Sequence, residues 1–162
     1  MSARVVVRDR GANSLLRAVE EGHASHWVKV GIIGSNGDKT YEEGESIAEV
    51  AEKHEFGIGV PQRSWLRGYV DPNVSAIEND LRSIARMVLI QHRSVMLGLG
   101  QLGAKSVGGI QARIASRIPP DLAPLTLALR RHGGDVPLID TGQLRSSISF
   151  LTTVIDPGSE ET

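Results

Sequence analysis

The sequence predicts an α+β fold: a small antiparallel sheet packed on a long helix, with a projecting extended arm and a Gly-rich loop. Two observations carry most of this. Two β-rich runs, 27–33 and 148–155, lie near opposite ends of the 162 residues. Between them lie amphipathic 3.6-residue patterns, broken by Gly and Pro rather than alternating with strands. The expected organisation is a single domain over 1–156, followed by a flexible acidic tail, 157–162.

Asn13 is placed to cap a short helix carrying Leu15, Leu16 and Val19. Residues 27–33 alternate as a strand, with Val28, Val30 and Ile32 on one face and Lys29 on the other. Ser35-Asn36-Gly37-Asp38 reads as a turn, because Asn and Gly accept positive φ at little cost. The acidic stretch 41–45 reads as an exposed loop. Ser46 and Glu49 then form a capping-box pattern, opening a helix that turns Ile47, Val50 and Ala51 inward and ends near Gly57. Pro61 excludes helix from the arm that follows.

Asp71-Pro72 is the expected start of the longest helix, since Asp caps and Pro fits a first turn. Ile77, Leu81, Ile84, Ala85 and Val88 give it an apolar stripe, opposite Glu78, Arg82 and Arg86. Gly98, Gly100, Gly103, Gly108 and Gly109 predict a loop, because clustered glycine has a large ordering entropy. A further helical pattern, Ile110, Ile114 and Ile118, stops at Pro119-Pro120. Residues 122–131 read as a short helix ended by Gly133-Gly134. A last short helix from Gly142 leads into the strand 148–155.

Composition narrows the function classes. Apolar residues make up 40% of the chain and aromatics 4%, so the core rests on aliphatic side chains. A formal net charge of -1 argues against whole-chain electrostatic affinity for nucleic acid. There are no cysteines, hence no disulfide and no thiolate metal site. The first residues, MSARVVVRDRG, are charged where a secretory signal needs an apolar run. No stretch approaches the ~20 apolar residues of a membrane span. The expected setting is a cytoplasm.

Candidate chemistry is sparse. Gly98-x-Gly100-x-x-Gly103 matches a pyrophosphate-binding pattern, but the preceding segment reads as helix where a strand is required. His23-x-x-His26 and His54-Glu55 offer metal-ligand types without a spacing that fixes convergence. Glu42, Glu43 and Glu45 read as a solvated run. Arg82, Arg86 and Arg93 form a basic stripe suited to phosphate, or to i,i+4 pairing with Glu78. Trp65, set between Arg63 and Arg67, has the composition of an interface anchor or of a core residue.

Two stretches stand out together. His54-Glu55-Phe56-Gly57 followed by Pro61-x-Arg63-x-Trp65-Leu66-Arg67 resembles the HEFG…PxRPFLR signature of the tail-completion, or minor tail, proteins of long-tailed bacteriophages and prophages. Ile118-Pro119-Pro120-Asp121-Leu122-Ala123-Pro124-Leu125-Thr126 is similar to that family's PPL-x-x-x-T segment, with Arg130-Arg131-His132-Gly133 where a basic turn follows. Pro137-Leu138-Ile139-Asp140-Thr141-Gly142-x-Leu144-Arg145-x-Ser147-Ile148 resembles its PLIDTG-x-L-x-x-SI ending. Val30-Gly31-Ile32 fits its first strand. The matches span about 28–154 in family order. Ser64-Trp65 departs from the usual Pro-Phe, and Asp121 is inserted after the proline pair.

The resemblance implies a non-enzymatic virion protein of the neck or the head-proximal tail end. It would form a ring, of six or twelve copies, that completes the tail and joins it to the head connector. Its partners would be further copies of itself, head-side connector or adaptor proteins, and tail terminator or tail tube proteins. DNA would pass through the lumen without sequence-specific binding. Its location would be the virion, and the host cytoplasm during assembly. No catalytic residue, metal ligand or cofactor is expected. Phe56, Pro61, Arg63, Trp65, Leu66, Arg67 and Arg145 are the expected intersubunit or partner interface. The alternatives are a small nucleotide- or metal-dependent enzyme and a DNA-binding assembly factor.

Overall fold

A computed structural model describes residues 25–41, 44–91, 93–130 and 134–155. The helix expected after Asn13, His23, Glu42, Glu43 and the acidic tail fall outside these residues. The described part is α+β. Strand β1 (Ser25–Ile32) pairs antiparallel with β2 (Ile148–Ile155), in a register running from Ser25 opposite Ile155 to Ile32 opposite Ile148. This two-stranded sheet joins the segments that the β-rich runs mark out.

Alternation decides which face is covered. Cross-strand neighbours share a face, so Val30 lies beside Phe150 and Ile32 beside Ile148 on the inner side. Trp27 and Leu151, on the other side, are exposed.

After the sheet's first strand, Ser35–Asp38 forms one helical turn, α1, where a non-helical turn was expected. Helix α2 (Ile47–Phe56) opens on the expected capping box: Ser46 Oγ accepts from the Glu49 N–H, and the Glu49 carboxylate accepts from the Ser46 N–H. It closes at Gly57, whose left-handed φ of 75° suits glycine.

The longest helix, α3, runs Arg67–Gln91 and starts four residues before the expected Asp71. Pro72 therefore sits inside it. The first-turn N–H groups already have acceptors upstream, described below, so initiation does not depend on Asp71. Helix α4 (Val95–Ala115) occupies the stretch where the Gly-rich loop was expected. Leu99, Leu102, Ile110 and Ile114 are buried along it. Burial of that apolar row overrides the helix-propensity cost of its glycines, about 1 kcal/mol each.

Some of those glycines are where other elements come close. A Cβ on Gly103 would lie 2.4 Å from the Phe150 ring, and one on Gly98 2.6 Å from Ile84. A Cβ on Gly109 would lie 2.1 Å from the Tyr69 ring. Helix α4 thus touches the sheet through Gly103 and α3 through Gly98 and Gly109. Gly98 facing Ile84, and Gly109 facing Tyr69, make α3 and α4 an antiparallel hairpin. The Lys105–Asp80 ion pair, at 2.6 Å, spans it midway.

Helix α5 (Pro124–Leu129) buries none of its residues. Helix α6 (Gln143–Ser146) delivers Leu144 to the core just before β2. That core joins Ile47 and Ala51 of α2, Trp65, Ile110 and Ile114 of α4, Ile118, Leu144 and Ile148.

Candidate functional site

Glu55 organises the first of the two singled-out stretches. It is the penultimate residue of α2 and is 4% exposed. Its carboxylate accepts from the backbone N–H groups of Trp65 (2.9 Å), Leu66 (2.9 Å) and Arg67 (3.2 Å). It also accepts from Ser64 Oγ at 2.7 Å and from Arg67 Nε at 2.8 Å. Ser64 Oγ in turn accepts from the Gly68 N–H, and the Leu66 carbonyl accepts from Tyr69 and Val70. The donors that a helix start leaves without intrahelical acceptors are therefore satisfied. Negative charge at that end also complements the helix dipole. Burial alone raises the pKa of Glu55. The hydrogen bonds from Arg67, Leu66 and Ser64 outweigh it and hold the carboxyl below the usual carboxylate range.

The same contacts decide the path of the arm. Gln62 Nε2 donates to the Glu55 carbonyl, and the Arg63 N–H donates to the His54 carbonyl. Residues 57–66 fold back along α2 and do not project. Trp65 is 4% exposed and donates from Nε1 to the Ala51 carbonyl. Arg63 is also 4% exposed. Both belong to the chain's own interior here, because the arm's donors find acceptors in α2. Phe56, Pro61, Arg67 and Arg145 are exposed, and Leu66 is half-buried. The Arg67 guanidinium lies 4.8 Å from the centre of the Phe56 ring.

A second feature joins the motifs. A cavity of about 650 Å3 is walled by His54 from the first motif and by Pro61 and Arg63 from the arm. Asp121 and Thr126 of the Pro-Pro segment, Arg130 after it, and Asp140, Thr141 and Leu144 of the last motif also line it. Arg63 ties two of these pieces together, donating from Nε to the Pro120 carbonyl at 3.0 Å and from Nη2 to the Asp121 carbonyl at 3.3 Å. Burial lowers its pKa, the nearby Arg130 adds to the effect, and Asp121 opposes it. His54 Nδ1 is buried without a hydrogen-bond partner among the described residues. Burial, and then the charge of Arg63, lower the pKa of His54 and favour the neutral ring.

The remaining candidates are dispersed. Gly98, Gly100 and Gly103 lie within α4, so they form no phosphate-cradling turn after a strand. Among the described residues, no group of three or more His, Asp or Glu side chains is placed to hold a metal ion. His54 faces the cavity while Glu55 caps α3. Arg82 donates to Asn79 and Glu78 on its own helix. No described helix is long and apolar enough to cross a membrane.

Sequence reasoning singled out His54, Arg63 and Trp65 but missed the capping role of Glu55 and the presence of Arg130 beside Arg63. No short-range signal marks the first: α3 starts at Arg67, and the carboxylate that caps it lies twelve residues upstream, on Glu55. Compared with known proteins, the chain matches no family model, no curated protein and no solved structure.

Proposed function

We propose that this chain is a structural protein of a tailed-phage virion. It forms a ring in the neck, or at the head-proximal end of the tail, that completes the tail and joins it to the head connector. The observation that carries the reading is the clustering of the resembling motifs. The 54–67 motif, the Pro-Pro segment and the 137–148 motif meet around one cavity, and Glu55 joins the parts of the first into a single capped unit.

The surface supports an assembling role. Leu89 and Ile90 at the end of α3 are 55% and 73% exposed, close in sequence to the exposed Leu97 that begins α4. Leu125 and Leu129 of α5 are exposed at 70% and 71%. Large apolar side chains grouped at a hairpin tip and on a short helix mark contact surfaces in soluble proteins. Strand β1 pairs only with β2 among the described residues, which leaves an edge open to a neighbour. Cyclic packing buries such surfaces without open-ended growth. In this reading the protein has no turnover, and the interface lies on Phe56, Pro61, Arg67, Arg145 and the exposed leucines.

Light scattering and negative-stain electron microscopy of the purified full-length chain test the reading. Rings with an open centre, of six or twelve copies, are expected. A strict monomer that joins neither heads, tails nor other neck proteins refutes it.

A further inference from the structure

We propose that the tip of the α3–α4 hairpin docks into the cavity of a second copy of this chain. Leu89 and Ile90 enter the cavity, and Arg86 and Arg93 meet the carboxylates at its rim. The inference rests on the self-assembly proposed above and says which surface of one copy meets which surface of the next.

The tip is apolar and cationic. Leu89 and Ile90 are largely exposed, although residues of these types usually lie inside. Arg86 stands three and four positions before them and so shares their side of α3. Residues 81–104 hold three arginines and no carboxylate. Arg82 is paired with Glu78. Arg86 and Arg93 are exposed, and neither forms an ion pair among the described residues.

The cavity has the complementary character. Val50, Val60, Pro61, Leu122, Leu138 and Leu144 give it apolar wall. Arg63 and Arg130 are matched in that wall by Asp121 and Asp140, and His54 favours its neutral form. A space with balanced charge takes an apolar occupant without stranding an ion. Leu129 lines the cavity yet is 71% exposed, so α5 forms an apolar lip beside an open mouth. At the rim, Asp121 and Asp135 share Arg117, two carboxylates to one guanidinium. The Asp121 contact is long, at 3.8 Å, and its side chain is 79% exposed. That carboxylate has capacity for a second guanidinium.

The fold places knob and hole at opposite ends of one hairpin. Arg63 precedes α3 by four residues, and Asp121 follows α4 by six, so the cavity sits at the hairpin's base. The 25 residues of α3 span about 36 Å. Gly98 against Ile84 and Gly109 against Tyr69 hold the two helices side by side over that length. A copy's tip therefore cannot enter its own cavity. A knob at one end and a hole at the other make a head-to-tail contact, the kind that closes into a ring when the rotation allows.

The chain has no cysteine, so single cysteines can be placed without background. Full-length Ile90→Cys and Leu129→Cys chains, changed at exposed positions, are mixed at a concentration where light scattering shows assembly. A short bismaleimide then joins thiols that lie close together. A linked tip-to-lip dimer is expected in the mixture and in neither variant alone. In a separate chain, Leu89→Asp with Ile90→Asp should weaken self-association by about tenfold or more, with the circular dichroism spectrum unchanged. Assembled chains that give no link in the mixture, or that link equally well in Ile90→Cys alone, overturn the docking and leave ring formation standing. Undiminished assembly of the double aspartate variant does the same. A chain that stays monomeric at every concentration overturns both.

Discussion

Replacing Glu55 by Ala is expected to be among the most damaging single changes outside the apolar core. The substitution removes the acceptor of three backbone N–H groups, of Ser64 and of Arg67. A buried donor left without a partner costs about 1–3 kcal/mol. The Trp65 N–H is buried, whereas those of Leu66 and Arg67 are partly buried and gain some water. The sum is about 3–5 kcal/mol, the range seen when one partner of a buried charged cluster is removed. At about 2–4 °C per kcal/mol for a chain of this size, the melting midpoint falls by roughly 6–20 °C. Glu55→Gln keeps one acceptor but turns an amide N–H toward other donors, for a loss of about 2–3 kcal/mol. Arg67→Ala leaves the backbone cap intact and costs about 1–2 kcal/mol, since the arginine is half exposed. Denaturant melts of the three variants at one protein concentration check the order. An Ala variant within about 1 kcal/mol of the parent, or an Arg67→Ala variant worse than Glu55→Ala, would refute the capping account.

Further outcomes follow from the same geometry. Because Glu55 titrates lower in the folded chain than in the unfolded one, its contribution is complete above the ordinary carboxylate range. It is lost as pH falls through the folded value, so Glu55→Gln should flatten the acid limb of a stability profile. His54 also titrates lower when folded, and the unfolded chain therefore takes up its proton first. Stability should decline as pH drops below the ordinary histidine range, and a His54→Gln variant should lose that component. Trp65→Ala should cost about 3–5 kcal/mol as a core truncation. A loss under about 1 kcal/mol, with weakened assembly, would return Trp65 to the interface. Gly103→Ala should destabilise by about 1–3 kcal/mol through the clash with Phe150. Gly100→Ala, with nothing within 4 Å, should stabilise by about 0.5–1 kcal/mol.

What was legible in the sequence was local. The two strands, the capping box at Ser46 and the helix stop at Gly57 follow from alternation and from short-range hydrogen bonds. The Gly-rich stretch was not legible as helix, because propensity reports the isolated chain. The clearance needed against Phe150, Ile84 and Tyr69 exists only once sheet and hairpin are in place. The early start of α3 was hidden for a related reason. Its capping carboxylate comes from Glu55, ten residues upstream of the first N–H it accepts. The arm read as projecting because Trp and Arg suit an interface. What holds it down is a set of backbone donors that composition does not display. The cavity was illegible as a whole, though residues that line it were singled out in separate motifs. Convergence of positions 54, 63, 121 and 141 is a property of the fold.

The central claim is that this chain is built into a particle rather than working alone. Cryo-electron microscopy of an intact particle assembled with the chain tests it most directly. The account predicts a ring of several copies at the head–tail junction or the head-proximal tail end, with the α3–α4 tip or α5 buried against a neighbour. Particles that assemble and join head to tail without the chain, and contain no copy of it, would contradict the account.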